Sequence, residues 1–314
     1  MIVQYYTIPL NTMGIRGLAR FLKQRAPAAY TTVTPLSKAE RWALDCSCIM
    51  YRARAAGLQP VTVLAGLICK LRNIGVELIV IFDGKPPAVK AITLEERRAH
   101  RTAIQKEIDS LDPSANEIQI TALQRQIPTL SASDKDTVKQ LLYAAGVLFL
   151  NASGEADDLL AALYKKGDIT AVISSDMDML PRGIGRVILP ETADAATLTS
   201  VSLDRVLTAL SLTYDQFVAA CVLMGSDYSE RSMNPYQAVT AIQAARSPLI
   251  ETESGRQLKG DGVVLSNLLT EAQEEKWAAG APPVEPEALA ALAATHGWPP
   301  GWVITLQTKL TAPA

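Results

Sequence analysis

A chain of 314 residues, 48% hydrophobic and 20% charged, is long enough to bury one sizeable core, alone or with an appendage. No apolar run approaches the roughly 18 residues that cross a bilayer, and the opening residues lack the basic and apolar regions of a secretory signal, so a soluble, intracellular protein without membrane contact is expected. The formal net charge of −2 hides a split: residues 1–106 carry 16 Lys/Arg against 6 Asp/Glu, whereas residues 107–314 carry 14 against 26. A basic first third suits a polyanion, and acids in the remainder suit metal ligation. Cys46, Cys48, Cys69 and Cys221 are scattered without C-x-x-C spacing, and His100 and His296 stand apart. That pattern speaks against zinc and against histidine-based catalysis, and leaves reduced core thiols.

In chain order, Gly14 to Ala26 places Ile15, Leu18, Phe21 and Leu22 on one helical face, and Pro27 ends the helix. Arg41 to Leu44 is a short strand delivering Asp45, followed by a helix over C-S-C-I-M-Y-R-A-R and another from Val61 to Asn73. The apolar run Val76 to Phe82 has the character of a buried parallel strand and ends on Asp83. The polar stretch from Ala88 to Lys135 predicts two helices separated by L-D-P-S-A-N. A helix from Asp136 to Ala145 with Gly146 as its cap, and a strand from Val147 to Leu150, resume the packed pattern.

The next unit carries most of the acids. Ser153 is placed to cap a helix with Glu155 and Asp157 in its first turn, and the strand Ile169 to Ile173 leads into Asp176 and Asp178. Acids in a first turn can simply complement the helix dipole, and D-x-D after a strand can be a plain turn. Two such pairs 21 residues apart across one β-α unit point instead to a cation site, because converging carboxylates repel unless cations lie between them. Beyond it come a strand near Arg186 to Leu189, a helix from Tyr214 to Met224 leading to Asp227, helical character over 235–250 and more loosely over 251–283, and a helix from Pro286 to His296.

Alternating strands and helices predict an α/β fold with a mostly parallel central sheet flanked by helices, whose ligands bind beyond the C-terminal strand ends. That gathers Asp45, Asp83, Asp176 and Asp178, with Glu155 and Asp157 from a neighbouring helix start. Oxygen ligands without Cys or His select Mg²⁺, with Mn²⁺ able to substitute, and so many carboxylates suit two ions. A paired-ion site beside a basic surface suits phosphodiester cleavage.

The blocks M-G-I-R-G-L from Met13, A-L-D-C-S, F-D-G-K-P-P-A-V-K, S-G-E-A-D-D, S-S-D-M-D-M-L and L-M-G-S-D-Y resemble, in order, those of the flap endonuclease family. This family of Rad2/XPG-type, structure-specific 5′ nucleases includes excision-repair and junction-resolving enzymes and has divergent and viral members. The resemblance covers about residues 13 to 246. It implies a PIN-like nuclease fold and seven metal-site acids: Asp45, Asp83, Glu155, Asp157, Asp176, Asp178 and Asp227. It further implies that Lys90 and Arg97 are the catalytic basic pair at the foot of a helical arch, that Tyr51 stacks on a nucleotide, and that Arg98 and Arg101 contact substrate.

The implied organisation is an N-terminal nuclease region (13–110), a helical arch inserted over 88–135, an internal nuclease region (136–250) ending in a helix-turn-helix-like DNA-binding element, and a C-terminal helical extension (251–314). Flapped or branched DNA cut by a two-Mg²⁺ mechanism is the implied substrate, handled by a monomer in replication, repair or recombination, in the nucleus or at a cytoplasmic viral replication site. The alternative is an RNA-cleaving relative of host-shutoff or exoribonuclease type. A catalytically inactive scaffold is disfavoured because all seven acids are present. The sequence departs from the family in three places: twelve residues precede Met13, Met233, Asn234 and Pro235 stand where a glycine turn is usual, and no clamp-binding motif is present.

Overall fold

The structure is a computed structural model that describes residues 14–34, 40–86, 90–190, 198–225, 233–245, 253–259 and 268–308. Asp227 therefore lies outside the described residues. Among the described residues seven strands form one sheet: β1 (Tyr30–Thr32), β2 (Glu40–Asp45), β3 (Val76–Phe82), β4 (Leu148–Asn151), β5 (Ala171–Ile173), β6 (Arg186–Leu189) and β7 (Thr199–Ser202). Their order is β1-β7-β6-β5-β2-β3-β4. The five from β6 to β4 are parallel, and β7 and β1 close one edge antiparallel.

Side-chain alternation along the central strands divides the core in two. Ala43, Ile79, Ile81 and Val172 face a cluster built with Leu18, Leu22, Leu159 and Phe217. Trp42, Leu44, Val80 and Ile173 face the opposite cluster with Ile68, Leu71, Leu141 and Leu142. The first layer uses α1 (Leu18–Arg25), α7 (Ala156–Lys166), α8 (Leu203–Leu210), α9 (Tyr214–Met224) and α10 (Pro235–Ala244), and the second uses α2 (Cys46–Ala55), α3 (Pro60–Asn73) and α6 (Ala132–Ala144). No single helix among the described residues is long and apolar enough to cross a membrane.

Residues 91–124 carry α4 (Ala91–Ser110) and α5 (Glu117–Gln124), separated as expected by L-D-P-S-A-N. Although polar, this pair has a small apolar cluster of its own, made by Ile104, Ile108 and Leu123. Next along the chain are α11 (Glu253–Lys259), α12 (Glu271–Ala279), α13 (Pro286–His296) and α14 (Pro300–Gln307). The last two are part of the second core layer: Leu289, Ala293, Trp298 and Leu306 are buried against α3 and α6. Arg72 of α3 donates to the carbonyls of Leu306, Thr305 (3.3 Å) and Ala145.

Several local expectations are corrected. Ser131, not a residue near Asp136, starts α6 through a reciprocal capping box with Asp134, so the helix begins four residues earlier. Its cap is Ala145, and Gly146 follows in the left-handed region. Ser153 does not cap α7; Glu155 is the N-cap residue, and Asp157 and Asp158 lie in the first turn. β1, β7, α8 and α14 had no counterpart in the sequence reading.

Candidate active site

The order of the sheet explains why the acids meet. β2, β3 and β4 run outward on one side, and the chain then returns to the other side of β2 with β5 and β6. The crevice beyond the C-terminal ends at such a reversal is where an open α/β sheet binds its ligand. Asp45 ends β2, in register with Ile81 of β3, and Leu44 is in register with Ile173 of β5. Asp83 therefore emerges just beyond β3, and Asp176 and Asp178 beyond β5. Glu155 and Asp157 come from the start of α7, after β4.

Backbone and hydroxyl donors hold these carboxylates. Asp45 caps α2 by accepting from the Cys48 N–H at 3.1 Å, and Ser174 Oγ donates to its other oxygen at 3.3 Å. Asp83 accepts from the Ala156 N–H at 2.9 Å and from Ser47 Oγ. Asp176 accepts from the Asp178 N–H at 2.9 Å, and Asp178 accepts from the Ile15 N–H at 2.7 Å. Gly14 passes so close that a Cβ there would lie 2.5 Å from Asp176 Oδ1. Its φ of +71° is also one that side chains disfavour. Glycine at the M-G of the first block is thus required by contact with acids more than 160 positions away.

Burial and mutual repulsion dominate the electrostatics. Asp45 titrates well above the usual carboxylate range because it is buried and because Asp157, Asp83 and Asp176 add negative charge nearby. Burial, then Asp176, pushes Asp178 up in the same way, with Asp157 adding to it. Burial raises Asp157 to about 7, although Arg182 and Lys90 oppose the rise. Carboxylates that hold up one another's pKa form a site short of positive charge, and their all-oxygen donor set fits a hard divalent cation. Among the described residues no three acids close on a single point as a finished cage. Asp45, Asp83, Glu155, Asp157, Asp176 and Asp178 are the acids that could hold such a cation.

Lys90 Nζ lies 2.8 Å from Glu155 Oε1. It precedes α4, and Arg97 lies seven residues on, with its Nε atom buried. Arg98 and Arg101 are exposed on the same helix, and Tyr51 is half-buried on α2, the helix that Asp45 caps. Two residues escaped the sequence reading. Arg182 is 1% exposed and bonds to Asp158. Asp158 was visible as the third acid of E-A-D-D, but nothing in P-R-G at 181–183 signals a buried arginine.

Residues 13–104 match the XPG N-terminal domain and residues 146–227 the XPG I-region. Flap endonuclease 1 of Homo sapiens and that of Ovis aries are each 30% identical over 255 residues, which cover 75% of this chain and 67% of theirs. The catalytic core of Rad2 in complex with DNA substrate superposes with a TM-score of 0.64 at 16% identity, covering 91% of this chain and 98% of that one. Flap endonuclease-1 from Methanococcus jannaschii gives 0.55 at 17% identity, covering 88% and 95%. The two matched regions carry all seven acids, and their sequence likeness extends to relatives over two thirds of those proteins' length. The chain belongs to the Rad2/XPG-type flap endonuclease family and is a nuclease, a phosphodiesterase.

Proposed function

We propose that this protein is a Mg²⁺-dependent, structure-specific 5′ flap endonuclease and 5′-to-3′ exonuclease acting on DNA in replication, repair or recombination. One observation carries the proposal: Asp45, Asp83, Asp157, Asp176 and Asp178 lie near enough beyond the ends of β5, β2 and β3 to repel one another, with Glu155 at the start of α7 as a sixth acid. Six acids exceed what a single Mg²⁺ uses, which favours two ions, with Mn²⁺ as a substitute. When bound, the metal supplies an activated water and charge for the leaving oxygen.

The protein's own residues orient and bind. Ile15, Cys48 and Ala156 fix the carboxylates through backbone N–H groups. Lys90 stands beside Glu155, and Lys90 together with Arg97, seven residues along the chain on α4, would supply cations for the scissile phosphate. Arg98 and Arg101, exposed on α4, provide further phosphate contacts, and Tyr51 a surface for a base. The likeness to a Rad2 core complexed with DNA substrate and to human GEN1 complexed with Holliday junction DNA supports DNA as the polymer. The active unit is proposed to be a monomer.

The test is a 5′-labelled flapped DNA, with an RNA strand of the same sequence, incubated with Mg²⁺ or with EDTA. Cleavage at the flap base in Mg²⁺ alone supports the proposal. RNA cut as fast as DNA would favour the RNA-cleaving alternative, and cleavage surviving EDTA would remove the metal mechanism.

A further inference from the structure

Arg182 is one of the largest fully buried side chains in the protein, with 1% of its side chain exposed. It sits in the turn between Asp178 and β6. One terminal nitrogen, Nη1, is bonded to Asp158. The other, Nη2, lies 3.8 Å from Asp157 Oδ2 and 3.9 Å from Glu155 Oε2. The last two separations exceed hydrogen-bond range, so this nitrogen acts on both acids through charge. Burying a guanidinium costs several kcal/mol, and a pair with Asp158 alone would not require a place beneath two further acids.

We propose that Arg182, anchored by Asp158, is a positioning residue: a built-in cation that steadies Glu155 and Asp157 before metal arrives and thereby limits how tightly the site binds divalent ions. The proposal rests on the metal-site reading above. Asp158 neutralises the far side of the guanidinium while Nη2 faces the two ligands, so the pair presents its positive end to the metal site. A fixed positive charge 3.8 Å from Asp157 and 3.9 Å from Glu155 offsets part of the repulsion between these acids and their neighbours. It also competes with any incoming cation, so that affinity is given up in exchange for a site already arranged.

The experiment measures Mn²⁺ and Mg²⁺ binding calorimetrically on the full chain without nucleic acid, together with the metal-induced rise in Tm. Arg182→Met should bind Mn²⁺ about tenfold tighter than the native protein. Its metal-free Tm should be lower and its rise with Mg²⁺ larger. Arg182→Lys, which keeps the charge, should bind with native affinity. Should Arg182→Met not fold without metal, Arg182→Met/Asp158→Leu, which leaves no unpaired acid at 158, should show a smaller tightening in the same direction. Affinity unchanged or weakened in the folded Met variants overturns the proposal while leaving the metal site intact. No Mn²⁺ binding by the native protein overturns the metal-site reading, and this proposal with it.

Discussion

The Ile15 backbone N–H donates to Asp178 Oδ1 at 2.7 Å, joining residues 163 positions apart. Gly14, immediately before it, would set a Cβ 2.5 Å from Asp176 Oδ1 and 2.7 Å from Asp178 Oδ1. Gly14→Ala should therefore displace two metal-site acids, lowering single-turnover cleavage at least roughly tenfold, and should cost about 1–2 kcal/mol in left-handed strain. Gly57→Ala is the control, because Gly57 has φ +75° with nothing within 4 Å. It should lose similar stability and keep its rate. Equal rate losses in the two variants would show that strain, not crowding of the acids, is responsible.

Asp176→Asn and Asp83→Asn should each lower cleavage about 100-fold or more while binding of flapped DNA holds. Loss of one anionic ligand disrupts the metal site and lessens repulsion of phosphate. Asparagine can still accept the bonds that Ala156 and Asp178 donate, so both variants should fold. Near-native turnover of folded Asp176→Asn at saturating Mg²⁺ would count against the assignment.

Arg97→Ala should slow the chemical step roughly 100-fold with little change in binding, as expected for a cation placed where transition-state charge grows. Lys90→Ala should do the same and also alter the Mg²⁺ dependence, because Lys90 contacts Glu155. Single-turnover rates measured across Mg²⁺ concentrations separate the two effects. Unchanged rates in both variants would mean that neither residue meets the scissile phosphate.

The metal-free protein should be more stable in mild acid than at neutral pH. Asp157 rises from 3.8 to about 7 on folding, and Asp45 and Asp178 are raised as well. A raised carboxyl binds its proton more tightly in the folded state, so stability falls as pH climbs from about 4 through about 7. Tm measured in EDTA should fall over that window, and Mg²⁺ should raise Tm more at pH 8 than at pH 5. A metal-free Tm that climbs steadily over the same range would contradict this account of the cluster.

What the sequence disclosed follows from how strongly each element signals itself. Val76 to Phe82 is a continuous apolar run ending in aspartate, and it was legible to the residue. So were Tyr214–Met224 and Pro286–His296, whose bounds are marked by Thr213 and Gly225 and by Pro286 and Gly297. β1 and β7 are short strands of three and four residues, rich in Thr and Ser, on one side of the sheet, and only the pairing of β7 with β1 and β6 reveals them. The acids were found because they follow strands or begin a helix. Arg182 was missed because its meaning lies in burial, and a charged residue beside a proline and a glycine has the local signature of a solvated turn. The need for glycine at Gly14 was likewise invisible, since the crowding atoms belong to Asp176 and Asp178.

The placement of α13 and α14 on α3 and α6 also governs how the chain folds as it is synthesised. The face of α3 carrying Gly66 and Cys69 is covered by Trp302, and Arg72 is tied to carbonyls at 305 and 306. Those partners leave the ribosome more than 230 positions behind α3. During translation the second core layer therefore stays partly open, with its apolar surface exposed, long after the sheet and its acids have been made. A nascent chain stalled before Trp298 therefore leaves that face of α3 without the residues that cover it.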